Sequence, residues 1–292
     1  MTRVAAYDIG TNTVRVLVAD PTGPLLRDQR VVRLGEGVDA TGRFRAEAIE
    51  RTLGGLAELV ETAGPVDVAD AVATSASRDA SNRDEFLDRA EGVLGVRPRV
   101  IPGEEEAHLS FRGATVGVDR RVAVVDIGGG STEVVVGAGT PDVAFSVDVG
   151  SVRLTERVLP ERPAAAHRVD AAIAWAEERL AAAGVPRVDD VIGVGGTFTA
   201  LAAIDAGLDE YDDSVVHGWG LGRQPLEALV TWLASLDIAE TEAIPSLDPL
   251  RASVLLGGAV TALAVMRRLG ATMVEVRVTD LLDAIAQDLL RT

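Results

Sequence analysis

The sequence predicts an α/β protein of two domains, each opened by an antiparallel β-meander. Two short stretches, Asp8-Ile9-Gly10-Thr11-Asn12-Thr13 and Asp126-Ile127-Gly128-Gly129-Gly130-Ser131, look like copies of one another. Each is flanked by β-rich runs (residues 4–7 and 14–18; 122–125 and 134–136), so each reads as strand, tight glycine turn, strand, with an Asp closing the first strand. The third observation is composition. A chain of 292 residues is long enough for two cores, and 47% hydrophobic content with 3% aromatics and 30 Gly suits a framework of Ala, Val and Leu.

Taken in order, residues 4–7, 14–19 and 25–34 read as three strands, with Pro21-Thr22-Gly23-Pro24 turning the chain between the last two. Phe44, Ile49, Leu53, Leu56 and Val60 stand close to helical spacing, and Gly64-Pro65 ends that helix. A strand over 66–74 follows, then the segment Ser75-Ala76-Ser77-Arg78-Asp79. Asn82 with Glu85 three residues on opens a helix through 86–94. A short strand at 98–101 leads through the loop Pro102-Gly103-Glu104-Glu105-Glu106 into a helix over 107–114. The pattern restarts at Arg121 with strands at 122–125, 132–136 and 143–147. Helices follow at 152–159 and 163–183, then a strand at 190–194 whose Gly195-Gly196-Thr197 opens another helix. Further helices are expected near 224–235 and 249–268, a strand near 273–278, and a last amphipathic helix. The expected domains are 1–118 and 119–278, with the final helix 279–292 packing back on the first.

Composition also excludes. There is no Cys, so disulfides, thiolate nucleophiles and Cys-ligated zinc are absent. The 3 His are scattered, so any metal is expected to be a hard cation on carboxylates, most plausibly Mg²⁺. The net charge of −17 argues against a nucleic-acid binder. No signal segment is visible, and the longest uncharged run, 254–266, is too short to span a bilayer; the expectation is a cytoplasmic protein without membrane contact. There is no Lys, a feature that a GC-rich genome or adaptation to high salt would each explain. A polyanionic substrate therefore needs Arg, backbone amides and metal to make the site locally positive.

A glycine turn between strands exposes successive backbone N–H groups, and such nests bind phosphate oxygens. In the first loop Gly10, Thr11, Asn12 and Thr13 are the expected phosphate cradle; in the second, Gly128, Gly129, Gly130 and Ser131. Asp8 and Asp126 stand at strand ends within reach of a metal ion, and Glu133 projects two residues beyond Ser131.

The doubled meander with paired Asp-Ile-Gly loops resembles the actin/sugar kinase/Hsp70 ATPase superfamily. Within it, the chain resembles the exopolyphosphatase/guanosine pentaphosphate phosphohydrolase family in its short two-domain form. The resemblance is carried by residues 8–15, Leu34-Gly35-Glu36-Gly37-Val38, residues 74–78, 103–107 and 126–133, Gly150-Ser151-Val152-Arg153, Gly195-Gly196-Thr197, and the helix from Arg251 to Gly258-Ala259. It implies two ribonuclease H-like (actin-like ATPase) domains with the active site in an interdomain cleft that closes over substrate. It implies a Mg²⁺-dependent hydrolase releasing terminal phosphate from inorganic polyphosphate. The alternatives are a guanosine pentaphosphate phosphohydrolase and a catalytically weak polyphosphate- or nucleotide-binding regulator; either as monomer or homodimer.

Residue by residue, the resemblance makes Glu106 the catalytic base, since a carboxylate at a helix start can orient and deprotonate water. Asp126 and Glu133 match the metal carboxylates, with Asp8 in support. Arg78 matches a phosphate-binding Arg whose planar fork suits phosphate oxygens; Arg15 follows the first phosphate loop, pointing into the cleft or away from it. Gly195, Gly196 and Thr197 are expected to take a further phosphate at a helix start. Departures from the family pattern fall at Arg251-Ala252-Ser253 and at residues 277–284, which bear on substrate preference rather than on the proposed chemistry.

Overall fold

The computed structural model describes residues 2–291. The chain forms two compact units. Residues up to 109, together with those from 281 onward, make the first; Ser110–Asp280 makes the second.

The first unit begins with the expected meander, β1 (Val4–Ile9), β2 (Thr13–Asp20) and β3 (Gly23–Val31). It continues through α1 (Val38–Thr41), α2 (Ala46–Ala63), β4 (Val68–Ala73), α3 (Ser75–Asp79), α4 (Arg83–Leu94), β5 (Arg99–Val100) and α5 (Gly103–Ala114). The sheet order is β3-β2-β1-β4-β5, with β1 antiparallel to β2 and parallel to β4. A parallel neighbour needs a crossover, which is the work of α2. Every residue of β1 is buried, because both faces of the sheet are covered. Ala5, Tyr7, Val14, Val16 and Val18 face one core with Phe44, Leu56, Leu59 and Phe86 from the helical side. Val4, Ala6, Leu17 and Ala19 face the other, filled by Leu281, Leu282 and Ile285 of the last helix. The period-2 alternation of the strands divides their side chains between these two cores.

The second unit repeats the plan with β6 (Val122–Ile127), β7 (Thr132–Ala138) and β8 (Thr140–Val147), then α6 (Ser151–Val158), α7 (Ala166–Ala182), β9 (Val191–Val194) and α8 (Gly195–Asp205). It adds α9 (Asp213–Val216), β10 (Trp219–Gly222), α10 (Arg223–Ser235), α11 (Ile238–Glu242), α12 (Ala252–Leu269) and β11 (Met273–Val276), before α13 (Leu281–Arg291) rejoins the first unit. Its order, β10-β11-β9-β6-β7-β8, contains the same arrangement: a central strand antiparallel to the next and parallel to the one after the crossover helices. The expected duplication is therefore a duplication of topology. Helix α12 is long and apolar enough to cross a membrane, but 72% of its most apolar window is buried, and Leu256, Val260, Leu263 and Met266 build the second unit's core.

Four local readings change. The division between units falls inside α5, at 109/110, where the expectation put it near 118. Helix α5 starts at Gly103, not 107: Glu104, Glu105 and Glu106 occupy its first turn, where negative charge offsets the exposed N–H groups. The stretch Ser75–Asp79, to which no element was assigned, is one turn and more of helix, with Ser77 and Arg78 amides donating to Thr74 O. Finally β10 was not anticipated; its Trp-Gly-Leu-Gly sequence is a poor strand former, held by antiparallel pairing with β11.

Candidate active site

The two hairpins close in the same way. Gly10 N–H donates to Thr13 O, and Gly128 N–H donates to Ser131 O, each at 3.0 Å. Those two amides hold the turn, which takes them out of the expected phosphate cradle. A side chain at Gly10 would place its Cβ 2.9 Å from Thr13 O, so the turn needs glycine for space. Each loop is also tied through its carbonyls to the segment that leaves the meander. Thr11 O accepts from Gly35 N–H, and Asn12 O from Val32 and Arg33 N–H. In the second unit Gly128 O accepts from Ser151 N–H and Gly129 O from Val152 and Arg153 N–H, so loop carbonyls satisfy the first-turn amides of α6. That arrangement gives a local reason for the Gly150-Ser151-Val152-Arg153 motif: a Cβ on Gly150 would lie 2.4 Å from Gly129 O.

In the first unit the expected phosphate and catalytic residues converge. Thr11, Asn12 and Thr13 are buried, and Asn12 Oδ1 is a buried acceptor with no hydrogen-bond partner. Thr11 Oγ1 accepts from Ala76 N–H at 3.2 Å, docking the loop on α3. From the same short helix Arg78 Nη1 donates to Ile101 O at 3.0 Å and to Glu106 Oε2 at 2.7 Å. Arg78 and Glu106, separated by 28 residues, are thus brought together, with the Glu106 residue only 8% exposed. The guanidinium expected for phosphate is engaged with the expected base. Asp8, expected with the metal carboxylates, accepts on Oδ2 from Arg15 Nε at 2.9 Å and Nη2 at 2.7 Å. Asp8 and Arg15 are directly opposite in the β1–β2 register, which makes the pair almost inevitable once the strands align.

In the second unit the matching register places Asp126 opposite Glu133. Two carboxylates so paired share one face of the sheet and repel, and both are buried, Asp126 at 8% and Glu133 at 1% exposure. Ser110 Oγ donates to Asp126 Oδ2 at 3.0 Å, and Ser146 Oγ to Glu133 Oε1 at 2.7 Å. Paired hard oxygens of this kind fit Mg²⁺, which is commonly held by one or two carboxylates and completed by water and substrate phosphate. Among the described residues no group of three or more acidic or His side chains forms a metal cage, so the protein's share would be such a partial set.

Helix α8 abuts this pair. Asp126 is the register partner of Val194, and Gly195 adopts φ +80°, with space for a Cβ only 2.4 Å from Asp126 Oδ1. Thr197 Oγ1 donates to Ile127 O at 3.0 Å, so this hydroxyl, expected for phosphate, ties α8 to β6. A Cβ on Gly196 would meet the Arg251 guanidinium at 2.2 Å, which places Arg251 directly over the start of α8. Nearby, Tyr211 is 44% exposed as a residue, yet desolvation at its hydroxyl pushes that group up, with Asp213 adding to the effect and Arg251 opposing it. Ser110, Ser146 and Arg251 were not picked out as site residues. Only Arg251 had a sequence signal, the departure from the family's Arg-x-Asp; single serines on a helix and a strand carry none.

Residues 15–281 match the Ppx/GppA phosphatase family. The chain belongs to this family. It is 39% identical over 318 aligned positions to exopolyphosphatase 2 of Mycobacterium tuberculosis, covering 99% of both chains, and 32% identical to exopolyphosphatase 1 of Mycobacterium bovis, covering 94% of this chain and 84% of that one. Among solved structures, a Ppx/GppA protein of Aquifex aeolicus superposes with a TM-score of 0.81 at 30% identity, over 99% of this chain and 98% of that one. An exopolyphosphatase from Cytophaga hutchinsonii superposes at 0.88 and 27% identity, with 99% and 98% covered. The expected family and its duplicated α/β fold stand.

Proposed function

We propose that this protein is a cytoplasmic exopolyphosphatase that hydrolyses the terminal phosphoanhydride bond of inorganic polyphosphate. The observation that carries the reading is Glu106: a buried carboxylate in the first turn of α5, which the family resemblance makes the base, held by Arg78 at 2.7 Å. The full-length similarity to exopolyphosphatase 2, 39% identical over 99% of both chains, supports polyphosphate as the substrate class.

In this reading the first hairpin, through Asn12 and Thr13, binds terminal phosphate oxygens, and Glu106 orients a water and accepts its proton as the water oxygen attacks the terminal phosphorus. The bridging P–O bond breaks, and orthophosphate and a chain shorter by one unit leave. Asp126 and Glu133 would hold Mg²⁺, which supplies positive charge against the phosphate oxygens. Gly195 and Arg251 keep the start of α8 close to that pair, and Ser110 and Ser146 orient the two carboxylates.

The test is orthophosphate release from polyphosphate and from guanosine pentaphosphate, with and without Mg²⁺, for wild type and Glu106→Gln. The expected result is Mg²⁺-dependent release from polyphosphate, lost in Glu106→Gln while polyphosphate binding persists. Faster release from the nucleotide would shift the assignment to guanosine pentaphosphate, and binding without release from either would assign a regulator.

A further inference from the structure

Two residues expected to hold phosphate also bond within the protein. Thr11 Oγ1 accepts the amide of Ala76, and Arg78 donates to Glu106. Both bonds end on α3, a helix of 5 residues, so one rigid turn joins the phosphate hairpin at one end to the base at the other. The joint is packed as well as bonded. A Cβ on Gly35 would lie 2.2 Å from Thr11 Cγ2 and 3.2 Å from Ala76 Cβ, and Gly35 N–H itself donates to Thr11 O at 2.8 Å. Gly35 therefore packs closely against both Thr11 and Ala76, an approach that a residue with a Cβ could not make. At the far end, the same Arg78 Nη1 bonds Ile101 O, fixing α3 to the segment that enters α5.

We propose that α3 is a spacer that sets the distance between bound phosphate and base, and that Thr11 and Arg78 are positioning residues acting through Glu106. A terminal phosphate seated on the Thr11–Thr13 loop is thereby presented at a fixed offset from the Glu106 carboxylate. The proposal rests on Glu106 being the base. Its chemistry is geometric: a general base must stand within hydrogen-bond reach of the attacking water, and a misplacement near 1 Å costs about 10²-fold in rate.

The experiment is a steady-state double-mutant cycle on polyphosphate with Thr11→Val, Arg78→Gln and the double variant, beside Glu106→Gln. Thr11→Val keeps the shape and removes the acceptor. For positioning residues kcat falls about 10- to 100-fold in each single variant while KM moves less than about threefold, and the double variant is no slower than the worse single one. Arg78→Lys restores part of kcat. Independent phosphate ligands give the opposite pattern, raised KM and losses that multiply, and that result overturns the proposal. Should Arg78→Gln fail to fold by circular dichroism, Thr11→Val alone decides by its kcat–KM split. Full activity in Glu106→Gln strikes the base assignment instead, separately from the cycle.

Discussion

Substituting Gly195 by Ala perturbs the second unit at a single carboxylate, and the structure separates its two costs. The first is conformational. Gly195 has φ +80°, and a Cβ in that region costs about 1–2 kcal/mol. In a unit of this size that corresponds to a fall in Tm of about 2–8 °C. The second is steric: the new methyl would sit 2.4 Å from Asp126 Oδ1, and ordinary contact requires the carboxylate to retreat by about 1 Å. Gly184 supplies the control, having φ +79° with nothing within 4 Å of its Cβ position. Gly184→Ala therefore pays the first cost and not the second. Thermal unfolding and polyphosphate hydrolysis of both variants isolate the steric term. Both should lose similar stability from conformation, whereas only Gly195→Ala should lose activity, by about 10²-fold, together with Mg²⁺ affinity. If Gly195→Ala matches Gly184→Ala in rate and in Mg²⁺ titration, the placement of Asp126 is irrelevant to activity, and the reasoning that puts metal on Asp126 and Glu133 fails.

Further expected outcomes concern stability and metal. Mg²⁺ should raise the unfolding temperature of wild type, with about 2.7 kcal/mol of stabilisation at a concentration one hundred times its Kd; Glu133→Gln should abolish that increment, and an undiminished shift would place the ion elsewhere. Ser77 Oγ is buried at 1% exposure without a hydrogen-bond partner, so Ser77→Ala should leave urea stability unchanged or raise it by about 1 kcal/mol; a clear loss would reveal a bound water or ligand on that hydroxyl. Arg27 Nη2 donates to both carboxylate oxygens of Asp283 at 2.8 Å, clamping α13 to β3. Arg27→Met should destabilise the first unit by about 1–3 kcal/mol and increase hydrogen exchange in α13, an effect absent if the pair is only decorative. In Gly113→Ala the added Cβ would stand 1.7 Å from the backbone oxygen of Asp280. Neither backbone can yield cheaply, so soluble expression or Tm should fall more than for Gly92→Ala, a helical glycine facing open space.

The amino-acid sequence by itself determined the duplicated α/β plan, the family and the residue types of the site. Those properties depend on local chemistry: β-branched runs alternate into strands, and glycine marks the turn after Asp8, after Asp126 and at the end of the strand before Thr197. The charge reversal between Arg15 and Glu133 could also be read from the chain, since both occupy the same offset from their Asp. What that reversal does could not. Only strand register turns Arg15 into the partner of Asp8 and sets Glu133 against Asp126. Tertiary structure likewise decided which protein groups meet Thr11, Arg78 and Thr197, expected on phosphate: Ala76, Glu106 and Ile127. The physical reason is common to all three. A hydroxyl or guanidinium bonds to whichever group lies within about 3 Å, and for contacts made between segments 28 to 70 residues apart that neighbour is chosen by packing rather than by sequence spacing.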